Sequence, residues 1–261
     1  MTDQLAESTR RFYDTVTRRN PELPFLNYGY ADPADTTPVD PGASELSTVC
    51  RRLYEEVLSP IPTGLKHVVE IGCGRGGGAF YLLQEQKQLQ YLGLDLSREH
   101  IRVCRERFKG RANAGFAIAN ATRLPLPQGQ FDAAFSVEAS HHFSDLDGFF
   151  DEVAGVLKPG GWFFLTGLWH QDQPQPEPSS AHGFEVLERQ DISANVVASL
   201  ARTSELREEL VMSMGLPERF TELLMSWAGV KGHGAYQGLA SGSLLYLRFR
   251  LRRNDQSERR A

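Results

Sequence analysis

Two periodicities alternate along the chain. Between residues 3 and 19, Leu5, Phe12, Tyr13 and Val16 recur at helical spacing with polar residues opposite, which predicts an amphipathic helix ended by Pro21 and Pro24. An aromatic stretch, Phe25-Leu26-Asn27-Tyr28-Gly29-Tyr30, and a Pro/Asp/Thr-rich loop to Pro41 lead to a second helix over 44–58. That helix carries Leu46, Val49, Leu53 and Val57, with Ser44 as N-cap and Pro60 and Pro62 beyond its end. From Leu65 the pattern becomes short β-favouring runs separated by helical segments. Strands are expected at 65–71, 90–96, 115–119, 131–138 and 162–167, and helices at 78–87, 98–108 and 146–157. Ser97 caps the second of these helices, with Glu99 in its first turn.

Strands alternating with helices mean βαβ units, right-handed crossovers and a doubly wound, mostly parallel α/β sheet. After Trp169 the rhythm breaks. Residues 171–180 read as a linker, and 184–227 read as two or three helices, around 191–200, 204–214 and 217–227. Two β-like segments follow, at 229–236 and 243–251, and bring the strand count to seven. The organisation expected is a helical cap at 1–62, a core at 63–169, a helical lid inserted after the fifth strand at 170–228, completing strands at 229–252 and a tail at 253–261.

Composition narrows the classes. With 261 residues, 41% of them hydrophobic, the chain can form one large domain with a lid. The net charge of −5, with basic residues concentrated only in 248–253 and at Arg259-Arg260, argues against nucleic acid as a partner, and those arginines read as a solvated terminus. Cys50, Cys73 and Cys104 lack metal-ligand spacing and are expected as free thiols, with no metal bound. No apolar run reaches about 18 residues, so no membrane span is expected. The first residues carry no signal-peptide pattern, which points to a cytoplasmic protein. A homodimer through the cap helices is allowed but not required.

The candidate chemistry starts at Glu70-Ile71-Gly72-Cys73-Gly74-Arg75-Gly76-Gly77-Gly78, between a strand and a helix start. Glycines allow positive φ and close backbone approach to a ligand, and the helix N-terminus behind them offers N–H groups to an anion. Gly72, Gly74 and Gly77 with Asp95 about twenty residues on satisfy the dinucleotide fingerprint. Three details point elsewhere. Glu70 stands two residues before Gly72 and suits a cationic ligand group. The loop is broad at Gly76-Gly77-Gly78. The fourth strand supplies Asp132 and Glu138. In such sheets ligands bind outside the carboxyl ends of the strands, where Glu70 and Gly72, Asp95, Asn120, and Glu138 with His141 and His142 all fall.

Val69-Glu70-Ile71-Gly72-Cys73-Gly74-x-Gly76, Gly93-Leu94-Asp95-Leu96-Ser97, Asn120-Ala121, Leu124-Pro125, Phe131-Asp132-Ala133 and Leu157-Lys158-Pro159-Gly160-Gly161 resemble the ordered motifs of class I S-adenosylmethionine-dependent methyltransferases. The stretch 25–30, Cys73-Gly74-Arg75-Gly76-Gly77-Gly78, Val137-Glu138-Ala139-Ser140-His141, and Gly229-Val230-Lys231-Gly232 with Tyr236 more closely resemble the mycobacterial phthiotriolone-type enzymes, whose relatives methylate sugars and other natural products. The resemblance implies a seven-stranded Rossmann-like methyltransferase fold, S-adenosyl-L-methionine as cofactor, S-adenosyl-L-homocysteine as product, and a small-molecule acceptor.

It also implies roles. Glu70 anchors the glycine loop and the ammonium side of the methionine moiety, and the backbone of Gly72, Gly74 and Gly76 lies against the cofactor. Asp95 accepts from the ribose hydroxyls, Leu96 packs on adenine, and Asn120 and Ala121 meet its edge. Glu138 faces the sulfonium side. Asn120 stands where the family usually has Asp; it keeps an acceptor and adds donors.

Histidine is the side chain most readily poised as a base near neutral pH. His141 is the first candidate and His142 the second. Gly167 stands where relatives often carry an Asp that could orient the histidine. Tyr28, Trp169, Trp227, His233 and Tyr236 are candidates for the acceptor side. The expected reaction is O-methylation of a natural-product hydroxyl. The alternatives are N- or C-methylation, or a non-catalytic or cyclising member of the fold.

Overall fold

The computed structural model describes residues 2–34, 45–58, 61–172 and 176–255. Pro41, Ser44, Pro60, Arg259 and Arg260 lie outside the described residues. Two helices, α1 (Thr2–Arg19) and α2 (Glu45–Leu58), precede β1 (His67–Ile71), α3 (Gly77–Glu85), β2 (Gln90–Asp95), α4 (Arg98–Arg107), β3 (Ala114–Ile118), β4 (Phe131–Val137), α5 (Leu146–Val156) and β5 (Leu157–His170). The remainder is β6 (Phe184–Asp191), four helices α6 (Ser193–Arg202), α7 (Ser204–Ser213), α8 (Glu218–Trp227) and α9 (Gly234–Ser241), and β7 (Leu244–Arg253). Among the described residues no helix is long and apolar enough to cross a membrane.

The seven strands form one sheet in the order β3-β2-β1-β4-β5-β7-β6. β1 pairs in parallel with both β2 and β4, so the strand order reverses between β1 and β4. A crevice opens there, outside the carboxyl ends. Consecutive strand residues serve opposite faces. Val68 and Ala133 belong to the apolar cluster on one side, Val69 and Ala134 to the cluster on the other. Both faces are therefore covered, as a parallel sheet requires. Asp132 pins the strand starts: its Oδ2 accepts from the N–H groups of Lys66 at 2.9 Å and His67 at 2.8 Å, and Lys158 Nζ donates to Oδ1 at 2.5 Å.

Three expectations require correction. Residues 184–191 are a strand, not a helix, and the helical insertion lies between β6 and β7. The expected β-like segment at 229–236 is a turn running into α9. The arginines at 248–253 belong to β7 and are not a frayed tail. Arg248 Nη2 donates to Glu188 Oε1 of β6 at 2.5 Å and Nη1 reaches Glu56, while Tyr246, Leu247, Phe249 and Leu251 are buried between them. β6 hides from periodicity because it is an edge strand with most side chains exposed and half of them charged.

A third, small apolar cluster joins α1 to the insertion through Val16, Val211, Leu224, Met225 and Val230. The N-terminal cap and the helical insertion thus form one layer over the crevice.

Candidate active site

A cavity of about 400 Å³ lies at the strand ends. The glycine loop forms its floor. Gly72 and Cys73 both donate their N–H to Leu94 O, at 2.8 and 2.9 Å, and Gly74 N donates to Asp95 Oδ2 at 2.9 Å. Gly72, Gly74 and Gly76 hold φ of 78°, 51° and 83°. A Cβ on Gly72 would overlap the Cβ of Ala139. Gly72→Ala is therefore expected to lower the melting temperature by several degrees, since about 1 kcal/mol shifts Tm by roughly 2–4 °C in a chain of this size. An unchanged melting curve would refute the close approach.

Asp95 and Leu96, from the end of β2, form one wall. Ser97 N donates to Asp95 Oδ1 at 2.8 Å, and His100 Nδ1 stands 3.1 Å from the same oxygen. The His100 contact satisfies ion-pair distance but not hydrogen-bond geometry, so it is a proximity and not a formed bond. Burial opposes ionisation of Asp95, but His100 and the N–H groups of Ser97 and Gly74 hold its pKa below the usual carboxylate value. Ser97 caps α4 as the sequence implies, accepting from His100 N at 3.1 Å, and its hydroxyl also reaches Asp14 of α1. Asn120 and Ala121 continue the wall; Asn120 Oδ1 accepts from Thr122 N at 3.0 Å.

Glu138 follows β4 at φ 55°, the one positive φ of a non-glycine residue among those described. Such a conformation costs of order 1 kcal/mol and persists only when its surroundings impose it. Here Glu138 N donates to Thr166 O at 2.8 Å, and Oε2 accepts from Tyr28 N at 2.8 Å and Tyr246 Oη at 2.5 Å. Burial raises the Glu138 pKa to about 7, although both hydrogen bonds oppose the shift. Tyr28 in turn donates through Oη to Trp227 O at 2.8 Å, so the stretch 25–30 is a strap fastened to both sheet and insertion.

His141 and His142 sit in a 3₁₀ turn over 140–142, with ring centroids 4.0 Å apart. Burial pushes the pKa of both rings down, His141 well below the ordinary value and His142 to about 4. Tyr13 Oη lies 2.6 Å from His142 Nε2 and accepts from Trp227 Nε1 at 3.3 Å. Because Trp227 occupies one lone pair, the Tyr13 proton is free to point at His142 Nε2. His141 Nδ1 is buried and has no partner. A Cβ on Gly167 would stand 3.7 Å from it, so glycine leaves the orienting position without a carboxylate.

Leu96, Asn120, Ala121, Glu138, His141, His142, Tyr28 and Trp227 all line the cavity, together with Gly72, Gly74 and Asp95. Glu70 does not. It is fully buried behind the loop, accepting from Tyr54 Oη at 3.0 Å and from Tyr91 Oη, with Gly78 packed on its carboxylate. Gly76 turns the loop and packs on Phe108 and Cys104 outside the cavity. Trp169 is core, its ring 5.4 Å from Phe249; His233 stands beside Glu222 at 3.5 Å; Tyr236, on α9, is partly buried against the apolar cluster on one sheet face. Sequence reasoning missed His100, whose position one turn after the capping Ser97 was the available signal.

Burial raises the Glu70 pKa to about 8 against the pull of both tyrosines. A carboxyl raised from 4.5 favours the folded state fully below that value and loses the contribution as pH climbs through its folded pKa. The melting temperature is therefore expected to fall between pH 5 and 9, with Glu70 and Glu138 as the groups responsible. Glu70→Gln should flatten the profile, and an equally steep profile in that variant would exclude Glu70 as the source.

Residues 69–165 match the methyltransferase domain family. The fatty-acid O-methyltransferase of Mycolicibacterium smegmatis is 35% identical over 210 residues, 78% of this chain and 76% of the relative. The chain belongs to the class I S-adenosylmethionine-dependent methyltransferases. This methyltransferase is also 30% identical over 248 residues to the phthiotriol/phenolphthiotriol dimycocerosates methyltransferase of Mycobacterium tuberculosis, covering 91% of this chain and 88% of the relative. The crystal structure of the (4+2)-cyclase SpnF superposes with a TM-score of 0.75 at 20% identity over 96% of both chains, a likeness of fold alone.

S-adenosylmethionine fits the cavity of this methyltransferase. The positive-φ glycines bring bare backbone to its floor. Asp95 retains acceptor capacity beyond its two N–H bonds, since an ionised carboxylate offers about four lone-pair sites.

Proposed function

We propose that this methyltransferase acts on a hydroxyl of a small natural product, of polyketide, lipid, sugar or phenol type, with His141 taking up the hydroxyl proton. The observation that carries the reading is a histidine pair on the cavity wall next to Glu138, burial favouring the neutral rings, with no protein partner on His141 Nδ1 among the described residues. When bound, the cofactor supplies an electrophilic methyl group. Asp95, Leu96, Asn120, Ala121 and the backbone of Gly72 and Gly74 would hold it. Tyr13, Tyr28 and Trp227 roof the cavity and keep water from the reacting groups.

Burial keeps His141 unprotonated, so one ring nitrogen keeps a lone pair available to the hydroxyl proton as the oxygen becomes acidic. Tyr13 fixes His142, and the His142 ring packs on His141 and limits its rotation. The names of the two relatives, which refer to a fatty acid and to phthiotriol and phenolphthiotriol dimycocerosates, support an apolar acceptor.

The test is a screen of phenolic, sugar, polyketide and long-chain alcohols with label carried on the methyl group. A methyl ether is the expected product. Label recovered only on nitrogen or carbon would reject the reading.

A further inference from the structure

A second cavity of about 50 Å³ adjoins the first, and Leu26, Asn27, Arg75 and Trp227 line both. Its remaining walls are mainly apolar, yet they hold two guanidinium groups, Arg75 and Arg207. These side chains belong to residues only 2% and 6% exposed. Neither has a carboxylate within ion-pair distance among the described residues. Each nitrogen of Arg207 is nevertheless engaged: Nε donates to Thr203 Oγ1 at 2.8 Å, Nη1 to Ala228 O at 3.0 Å and Nη2 to Tyr28 O at 2.9 Å, which fastens the strap.

Arg75 differs. Nη1 donates to Asn20 O, Nε has no partner, and no hydrogen bond engages Nη2. On the same wall Asn20, 8% exposed, keeps a buried Nδ2 without a partner. Burial lowers the Arg75 pKa only to about 10, so the group stays a cation at neutral pH. A buried cation with unspent donors is costly unless something anionic pairs with it, and a guanidinium fork matches a carboxylate. The space suits such a group, since a water occupies roughly 30 Å³.

We propose that the second cavity is a carboxylate receptor, with Arg75 Nε and Asn20 Nδ2 as its donors and the ligand's stem reaching it from the main cavity past Leu26 and Trp227. The proposal rests on the reading above for what fills the main cavity. Two molecules there could present a carboxylate: the cofactor, through its amino-acid end, or an acceptor of fatty-acid type.

Calorimetry on the full chain separates them. The probes are S-adenosyl-L-homocysteine against its decarboxylated analogue, and dodecanoate against 1-dodecanol. Wild type is expected to prefer the carboxylate member of at least one pair by about tenfold or more, the range of one charge-assisted hydrogen bond. Arg75→Gln should erase that preference and Arg75→Lys should retain part of it. Whichever pair responds identifies the source. Should Arg75→Gln fail to fold, Asn20→Ala, which removes one unspent donor and leaves the cation, should weaken the same preference several-fold.

No preference in wild type, or one unaltered in every folded variant, would mean a water-filled cavity and overturn the proposal. These binding preferences do not depend on which atom is methylated, so failure here leaves the hydroxyl reading to its own screen.

Discussion

Replacing His141 by alanine is expected to lower kcat by about 10²–10⁴-fold, the usual contribution of a positioned general base. Affinity for S-adenosyl-L-homocysteine should change little, because His141 follows β4 and supplies none of the contacts proposed for the nucleoside and methionine, which rest on the β1 and β2 ends. Tyr13→Phe removes only the hydroxyl 2.6 Å from His142 Nε2, so its effect on kcat should be smaller, roughly tenfold, as for one hydrogen bond. The pH profile adds an independent check. Only the neutral imidazole can accept a proton, and burial lowers the pKa of both rings. Activity should therefore persist below the ordinary histidine value of 6.5 and fail only at more acidic pH. Unchanged turnover in His141→Ala would remove it as the base. An acid limb at the ordinary histidine pKa would contradict the buried, neutral pair.

Asp95→Ala is expected to weaken S-adenosyl-L-homocysteine binding by about 10²–10³-fold, from loss of charge-assisted hydrogen bonds worth about 1.5–3 kcal/mol each. Two effects combine. The proposed contacts to the ribose hydroxyls disappear, and Gly74 N and Ser97 N lose the carboxylate that shapes the loop and the start of α4. Asp95→Asn separates them, because an amide oxygen still accepts one backbone N–H; a loss of about tenfold is expected there. Calorimetry measures both variants. Retained affinity in Asp95→Ala would mean that the cofactor does not rest on β2, and the assignment of this wall would fall.

Most of the strand ends were readable in advance. Parallel strands deliver their carboxyl ends to one edge, so Gly72, Asp95, Asn120, Glu138 and the His141–His142 pair had to meet there whatever the loops did. Glu70 was placed on the right strand but assigned the wrong surroundings. Its carboxylate turns inward because Tyr54 and Tyr91, 16 and 21 residues away, supply hydroxyls in the interior. Strand periodicity cannot reveal such partners. β6 was missed for a different reason: its sequence lacks an apolar face, and it is held at the edge by pairing with β7.

By itself the sequence determined the doubly wound core, the glycine-rich floor and the acid at the end of β2, because these follow from local periodicity, from glycine's freedom at positive φ, and from the geometry of parallel strands. Only the tertiary structure decided what closes over them. Tyr13 meets His142 across 129 residues and Trp227 across 214, and Tyr28 meets Trp227 across 199. Contacts at such separations are selected by how α1, the strap and α8 pack as one layer, and no local pattern records that choice. The same packing left Trp169, His233 and Tyr236 outside the cavity and brought Arg75 to the boundary between its two chambers.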